Sequence, residues 1–180
     1  MITKVNPNLI MYLSKNDINN RLNEIGKQLS EKFCNECPVI IGILNGSFVF
    51  MADLIRQIEF ECEIDFIKVN SYVGQETSGK VRLEKDVSID IKDRRVIIIE
   101  DIIDSGLTID FIRKHILGFN PKEVTIVTFL SKRTNYKLNF IIDIIGFEIT
   151  SEFVVGYGLD LDQKFRQLDS LYKLDPKGLA

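Results

Sequence analysis

Short apolar runs recur along the chain, each closed by polar or glycine-containing turns. Pro38 to Leu44, Cys62 to Val69, Val96 to Ile99, Val124 to Leu130 and Phe140 to Phe147 have this form. Their length and near-continuous apolarity predict strands covered on both faces. Val81 to Asp93 reads as a strand followed by a polar connection. Elsewhere the period changes. Ile18, Leu22, Ile25, Leu29 and Phe33 are spaced by three and four, which draws one stripe along a helix, and Ser14 with Asp17 has the spacing of a capping box at its start. Phe48, Met51, Ala52, Leu54 and Ile55 mark a second helix after the Asn45-Gly46-Ser47 turn. A third spans about Leu107 to Leu117, stopped by Gly118 with Pro121 beyond. Strands alternating with helices predict an α/β fold with a mostly parallel sheet flanked by helices. After Thr150 that rhythm ceases; Gly156, Gly158 and alternating acids predict loops over the sheet, and a small cap or hood built from the two chain ends fits. The expectation is a single domain over 1–180, its core at about 35–150 and its hood from about 1–13 and 150–180.

Composition narrows the classes. A chain of 180 residues, 45% hydrophobic and 27% charged, can bury one sizeable core. Its net charge of −3 supplies no basic field for a nucleic-acid backbone, so no nucleic-acid partner is expected. No apolar stretch is long enough to cross a bilayer, and MITKVNPNLIMYLSKND lacks the layout of a signal peptide, so the expected location is cytoplasmic. Cys34 and Cys37 have Cys-x-x-Cys spacing, but they precede a strand where a redox motif would follow one. Only Cys62 and His115 remain to complete a zinc site. Two free thiols in a helix-to-strand connection is the favoured reading.

The most informative stretch is Val96 to Thr108, VIIIEDIIDSGLT. A buried strand runs into the acidic pair Glu100–Asp101, and carboxylates there are costly unless a cation or donors meet them. Ligands of open α/β sheets bind at the carboxyl ends of strands. Asp104-Ser105-Gly106-Leu107-Thr108 then opens a helix, whose free N–H groups and dipole attract phosphate. Groups suited to sugar hydroxyls or a metal thus lie beside a phosphate cradle. Without more, the same residues make a buried strand, a polar turn and a helix with Asp104 as its N-cap.

This run resembles the ribose-phosphate signature of the type I phosphoribosyltransferases, which use phosphoribosyl pyrophosphate (PRPP). The resemblance implies that Glu100 and Asp101 meet the ribose hydroxyls, often through Mg²⁺, while Ile102, Ile103, Asp104, Ser105, Gly106, Leu107 and Thr108 wrap the 5′-phosphate. It extends through Lys132-Arg133-Thr134, Phe153-Val154-Val155-Gly156-Tyr157-Gly158-Leu159-Asp160 and Phe165-Arg166, in the order of the purine branch, the hypoxanthine-guanine phosphoribosyltransferases. By that pattern Lys132 donates to purine O6, Phe153 stacks on the base, the Val154 backbone reads its Watson–Crick edge, and Asp160 lies near that edge and a second Mg²⁺. Asn45, Gly46 and Arg166 fall at the pyrophosphate, and Asp104 becomes the acid/base near N7. Taken singly, Phe153 reads better as a core aromatic and Lys132 as a surface lysine.

Ser71-Tyr72 followed by the polar Gln75–Lys80 segment resembles the family's lid. One departure stands out: Asn45 occupies a position that is usually lysine, which removes a cationic donor. The family pattern also carries an expectation of a strained peptide at Leu44–Asn45, the cis form being one way to meet it. The activity implied is Mg²⁺-dependent salvage of hypoxanthine, with guanine as a further substrate. Its partners would be PRPP, the 6-oxopurine base, the nucleoside monophosphate and pyrophosphate, in a homo-oligomer (dimer or tetramer). The alternatives are a guanine- or xanthine-preferring transferase and a non-catalytic PRPP- or nucleotide-sensing regulator on the same fold.

Overall fold

The computed structural model describes residues 9–72 and 80–174, with Ser71, Tyr72 and Lys80 described through their backbone alone. In chain order the elements are β1 (Leu9–Leu13), α1 (Lys15–Lys32), β2 (Val39–Leu44), α2 (Phe48–Leu54), β3 (Glu63–Tyr72) and β4 (Lys80–Lys85). Then come β5 (Arg95–Ile103), α3 (Leu107–Leu117), β6 (Glu123–Ser131), a 3-10 turn at Arg133–Asn135, β7 (Ile144–Glu148), β8 (Val154–Val155) and β9 (Leu171–Leu174).

Six strands form the main sheet in the order β4-β3-β2-β5-β6-β7. All neighbouring pairs are parallel except β3–β4 at one edge. Successive strand residues point to opposite faces, and the packing follows that alternation. Ile40, Ile97, Ile99, Val127 and Phe129 pack with the apolar stripes of α1 and α2. Val39, Ile41, Ile43, Val96, Ile98 and Ile126 pack on the other face with Ile109, Ile112 and Ile116 of α3. This is why β2, β5 and β6 read as unbroken apolar runs. The capping box at α1 is formed: Ser14 Oγ accepts from Asp17 N at 3.2 Å and Ser14 N donates to Asp17 Oδ2 at 3.1 Å.

Two of the strand boundaries that differ from the sequence reading are informative. The strand expected to end at Ile99 continues to Ile103, because Ile102 and Ile103 stay paired with Leu130 and Ser131 of β6. The acidic pair is therefore held within the ladder. At the far edge the strand begins at Ile144, not Phe140. Phe140 and Ile142 still pack beneath the sheet, while Asp143 exchanges bonds with Ile126 through its carboxylate and its N–H.

The chain ends pair in a second sheet, β1-β9-β8, antiparallel throughout. Between β8 and β9 the backbone turns repeatedly, with positive φ at Gly156, Tyr157, Gly158, Asp162, Gln163 and Phe165. A polar anchor that the sequence did not betray is Asp65 on β3, buried at the base of the β4–β5 connection. Burial pushes its carboxyl up, but donation from the N–H groups of Ser88, Phe66 and Ile89 and from Lys85 outweighs this and brings it down to about 2.

Candidate active site

The carboxyl ends of β2, β5 and β6 meet at one place, and the chemistry is concentrated there. After β5, Gly106 adopts φ 78° immediately before α3, a left-handed conformation that suits glycine. Ser105 Oγ accepts from Leu107 N at 3.4 Å. Asp104 does not cap the helix: Lys132 Nζ donates to its Oδ2 at 2.8 Å and Asn135 Nδ2 to its Oδ1 at 2.7 Å. Its carboxylate thus takes none of the first N–H groups of α3, the end of a helix that suits an anion, although the Leu107 N–H already has Ser105 Oγ as its partner. A hollow of about 20 Å³ lies here, lined by Glu100, Ile103, Ser105, Gly106, Thr108 and Ile109.

Glu100 is 4% exposed, and its Oε2 is buried with no hydrogen-bond partner. Burial pushes its carboxyl well above the usual range, and the neighbouring Asp101 carboxylate adds to the effect. Asp101 is partly exposed and is also raised, chiefly by desolvation, although Glu100, the Ile102 N–H and the field of Arg166 oppose this. An orphaned carboxylate oxygen beside a second carboxylate is a donor set that suits a hard divalent cation such as Mg²⁺. That ion is commonly held by one or two protein carboxylates with substrate phosphates completing the shell. Among the described residues no cluster of three or more His, Cys, Asp or Glu side chains could hold a metal.

Gly46, buried after the cis Leu44–Asn45 peptide, packs directly on Asp101: a Cβ built there would lie 1.4 Å from Asp101 Oδ2. On its other side, a Cβ on Gly158 would lie 2.2 Å from the Gly46 carbonyl oxygen. Asn45 itself is exposed. Arg166 Nη1 donates to Gly158 O at 2.8 Å, and Nη2 pairs with Asp160 Oδ1 at 2.7 Å. Asp160 Oδ2 accepts from Gln163 N at 2.8 Å, so both of its oxygens have protein donors.

Lys132 and Phe153 reverse the readings each had alone. Lys132 is 7% exposed, its main chain tied to the end of β5 by a bond from Lys132 N to Ile103 O of 2.9 Å. That tie delivers its ammonium to Asp104. Phe153 is 52% exposed, just ahead of the buried Val154. The loop register after Thr150 has turned its ring out of the core.

Comparison with known proteins decides the family. The sequence pattern of the phosphoribosyl transferase domain matches residues 11–162. The chain belongs to the phosphoribosyltransferase family. A hypoxanthine phosphoribosyltransferase of Haemophilus influenzae is 41% identical over 169 residues, covering 91% of this chain and 94% of that one. A hypoxanthine-guanine phosphoribosyltransferase of Aquifex aeolicus is 36% identical, covering 93% and 95%. Among solved structures, a hypoxanthine phosphoribosyltransferase of Staphylococcus aureus superposes with a TM-score of 0.90 at 36% identity, covering 96% of this chain and 95% of its own. A Bacillus anthracis hypoxanthine-guanine phosphoribosyltransferase, solved with HEPES in its active site, gives 0.87 at 40%, covering 92% and 98%.

In this phosphoribosyltransferase some site features escaped the sequence. Asn135, on the 3-10 turn after Lys132, had no signal beyond adjacency to Lys-Arg-Thr. The bond from Tyr157 Oη to Asp53 Oδ2, 2.8 Å long, ties the hood loop to α2 and joins residues with no sequence relation. For the lid, residues 75–79 and the side chains of Ser71 and Tyr72 lie outside the described residues, while Lys80 opens β4. The three cysteines are free, with Cys34 and Cys37 exposed. These two line a cleft of about 1080 Å³ at the amino ends of β2 and β3, away from the site above.

Proposed function

We propose that this phosphoribosyltransferase salvages hypoxanthine, and guanine as a second substrate, joining the base to PRPP to give the nucleoside 5′-monophosphate and pyrophosphate. The observation that carries this is the meeting of Glu100–Asp101, Gly46 and the Asp104–Lys132 pair at adjoining strand ends. Mg²⁺, held by Glu100 and Asp101 and also by Asp160 in this reading, would neutralise charge on the phosphates when bound.

The bond from purine N9 to the ribose C1′ forms as the C1′–oxygen bond to pyrophosphate breaks, and the purine gives up one proton. The N–H groups from Ser105 to Thr108 hold the 5′-phosphate through charge-assisted bonds. Gly46, Asn45 and Arg166 lie on the pyrophosphate side and receive the departing negative charge. Lys132 donates to O6 of a 6-oxopurine. Adenine, which presents a donor there, is refused, because an ammonium can only donate. Phe153 offers an exposed face for stacking, and the Val154 main chain borders the base edge. Asp104 accepts the purine proton or hydrogen-bonds it as charge develops. Its carboxyl is pushed up by burial, but bonds from Lys132 and Asn135 and the ammonium's charge hold it below the usual carboxylate range. It is therefore ionised and able to accept at neutral pH.

The test is turnover: protein, Mg²⁺, PRPP and each of hypoxanthine, guanine, xanthine and adenine, followed by the absorbance change on nucleotide formation. Reaction with hypoxanthine and guanine but not adenine is expected. Absence of reaction together with tight nucleotide binding would overturn the reading in favour of a sensor.

A further inference from the structure

The two donors on Asp104 are unlike. Lys132 carries a second duty in the proposed reaction, because the same ammonium serves the purine carbonyl. When the base arrives, its bond to Asp104 Oδ2 is shared or given up. Asn135 has no such duty. Its amide is neutral, and its main-chain N–H is fixed to Lys132 O at 2.8 Å. The far end of the 3-10 turn is anchored by Tyr136 Oη against Ser131 Oγ at 2.7 Å. The turn thus presents Nδ2 to Asp104 Oδ1 from a base of its own, independent of the purine.

We propose that Asn135 is a positioning residue: it grips one oxygen of Asp104 and so aims the other at the purine proton while Lys132 engages the base. The proposal rests on Asp104 being the proton acceptor described above. One oxygen held and one free is the arrangement that a general base needs. The surroundings leave Asn135 as the local neutral donor. Just past the end of β6, Lys132 faces Asp104, and Glu152 shares the ammonium's field. On the 3-10 turn, Arg133 points instead to Glu148, 3.2 Å away. Asp104 has half of its side chain exposed, so the bond to Asn135 adds little to folding, and its value lies in orientation.

The experiment compares wild type with Asn135→Ala, which removes the donor, and Asn135→Asp, which keeps the shape but opposes the carboxylate. Steady-state kinetics with PRPP and hypoxanthine across pH are joined by a carboxyl NMR titration of Asp104. Loss of a hydrogen bond to a charged group predicts kcat lower by about tenfold in Asn135→Ala and more in Asn135→Asp, with KM for PRPP within about twofold. The acid limb of kcat and the Asp104 titration should both move to higher pH. A variant pair with wild-type kcat and an unmoved Asp104 titration overturns the positioning role while leaving the transferase reading intact. A wild type that does not turn over overturns that reading and this inference with it.

Discussion

In the proposed reading, Glu100 couples the stability of the empty protein to its capacity for a cation. The perturbation is Glu100→Gln. In wild type without metal, a carboxylate oxygen at 4% exposure has no donor and faces Asp101. An amide has the same shape, carries no charge and can donate to Asp101, so the unmet acceptor and the like-charge contact are both relieved. An unmet buried polar group costs about 1–3 kcal/mol, so the variant should be more stable by about 2 kcal/mol. For a chain of this size that amounts to a Tm higher by roughly 4–8 °C. The pH dependence follows from the raised carboxyl. The folded state holds its proton more tightly than the unfolded state, so the stability from Glu100 is complete below the ordinary glutamate value of 4.5 and is lost as pH climbs through the folded value. The gain from Glu100→Gln should therefore be small in acid and grow as pH rises through the raised folded value. The assay is thermal unfolding in chelator across pH, repeated with Mg²⁺ and PRPP. Ligand should raise the wild-type Tm by mass action and leave the variant nearly unmoved. A variant whose advantage over wild type does not grow with pH, or one stabilised equally by Mg²⁺–PRPP, would refute the reasoning.

Gly46→Ala places a methyl 1.4 Å from Asp101 Oδ2, so it should displace that carboxylate; loss of PRPP-dependent turnover is expected, with isothermal titration showing weakened PRPP binding. Lys132→Ala removes the charged donor proposed for the purine and should lower kcat/KM for hypoxanthine by about 10- to 100-fold. Its stability cost should stay under about 1 kcal/mol because Asp104 is half exposed, and denaturant titration checks this. Asp65→Asn should cost about 2 kcal/mol at neutral pH, the size of a carboxyl held at about 2 in place of the ordinary aspartate value of 3.8. The depressed carboxyl contributes above its unfolded value and the contribution fades as pH falls through the folded one, so urea melts of variant and wild type should converge in strong acid.

The parallel sheet was legible because β2, β5 and β6 are buried on both faces and so carry an unmistakable apolar run. Ser14 and Asp17 announced a capping box because that bond is local. The acid pair and the following turn stood out for the same reason, being contiguous at a strand end. Phe153 and Lys132 were misread singly because burial depends on how the chain folds over itself after Thr150 and on the tie from Lys132 to Ile103, neither of which is a local property. Asn135 and Asp65 were missed because an isolated polar residue acquires meaning only from partners distant in the chain. The end of β5 was placed too early because carboxylates normally close a strand, whereas here the ladder with β6 carries them.

Gly46 touches Asp101 on one side and Gly158 on the other, three points from separate thirds of the chain. No fragment of the molecule can hold such a seat in advance. In the proposed reading, capacity for the phosphorylated sugar therefore requires all three thirds in place, and a half-made or partly unravelled chain would not sequester the metabolite. In a cell, abundant PRPP would then act as a selective brace, favouring finished molecules over those on the way to degradation.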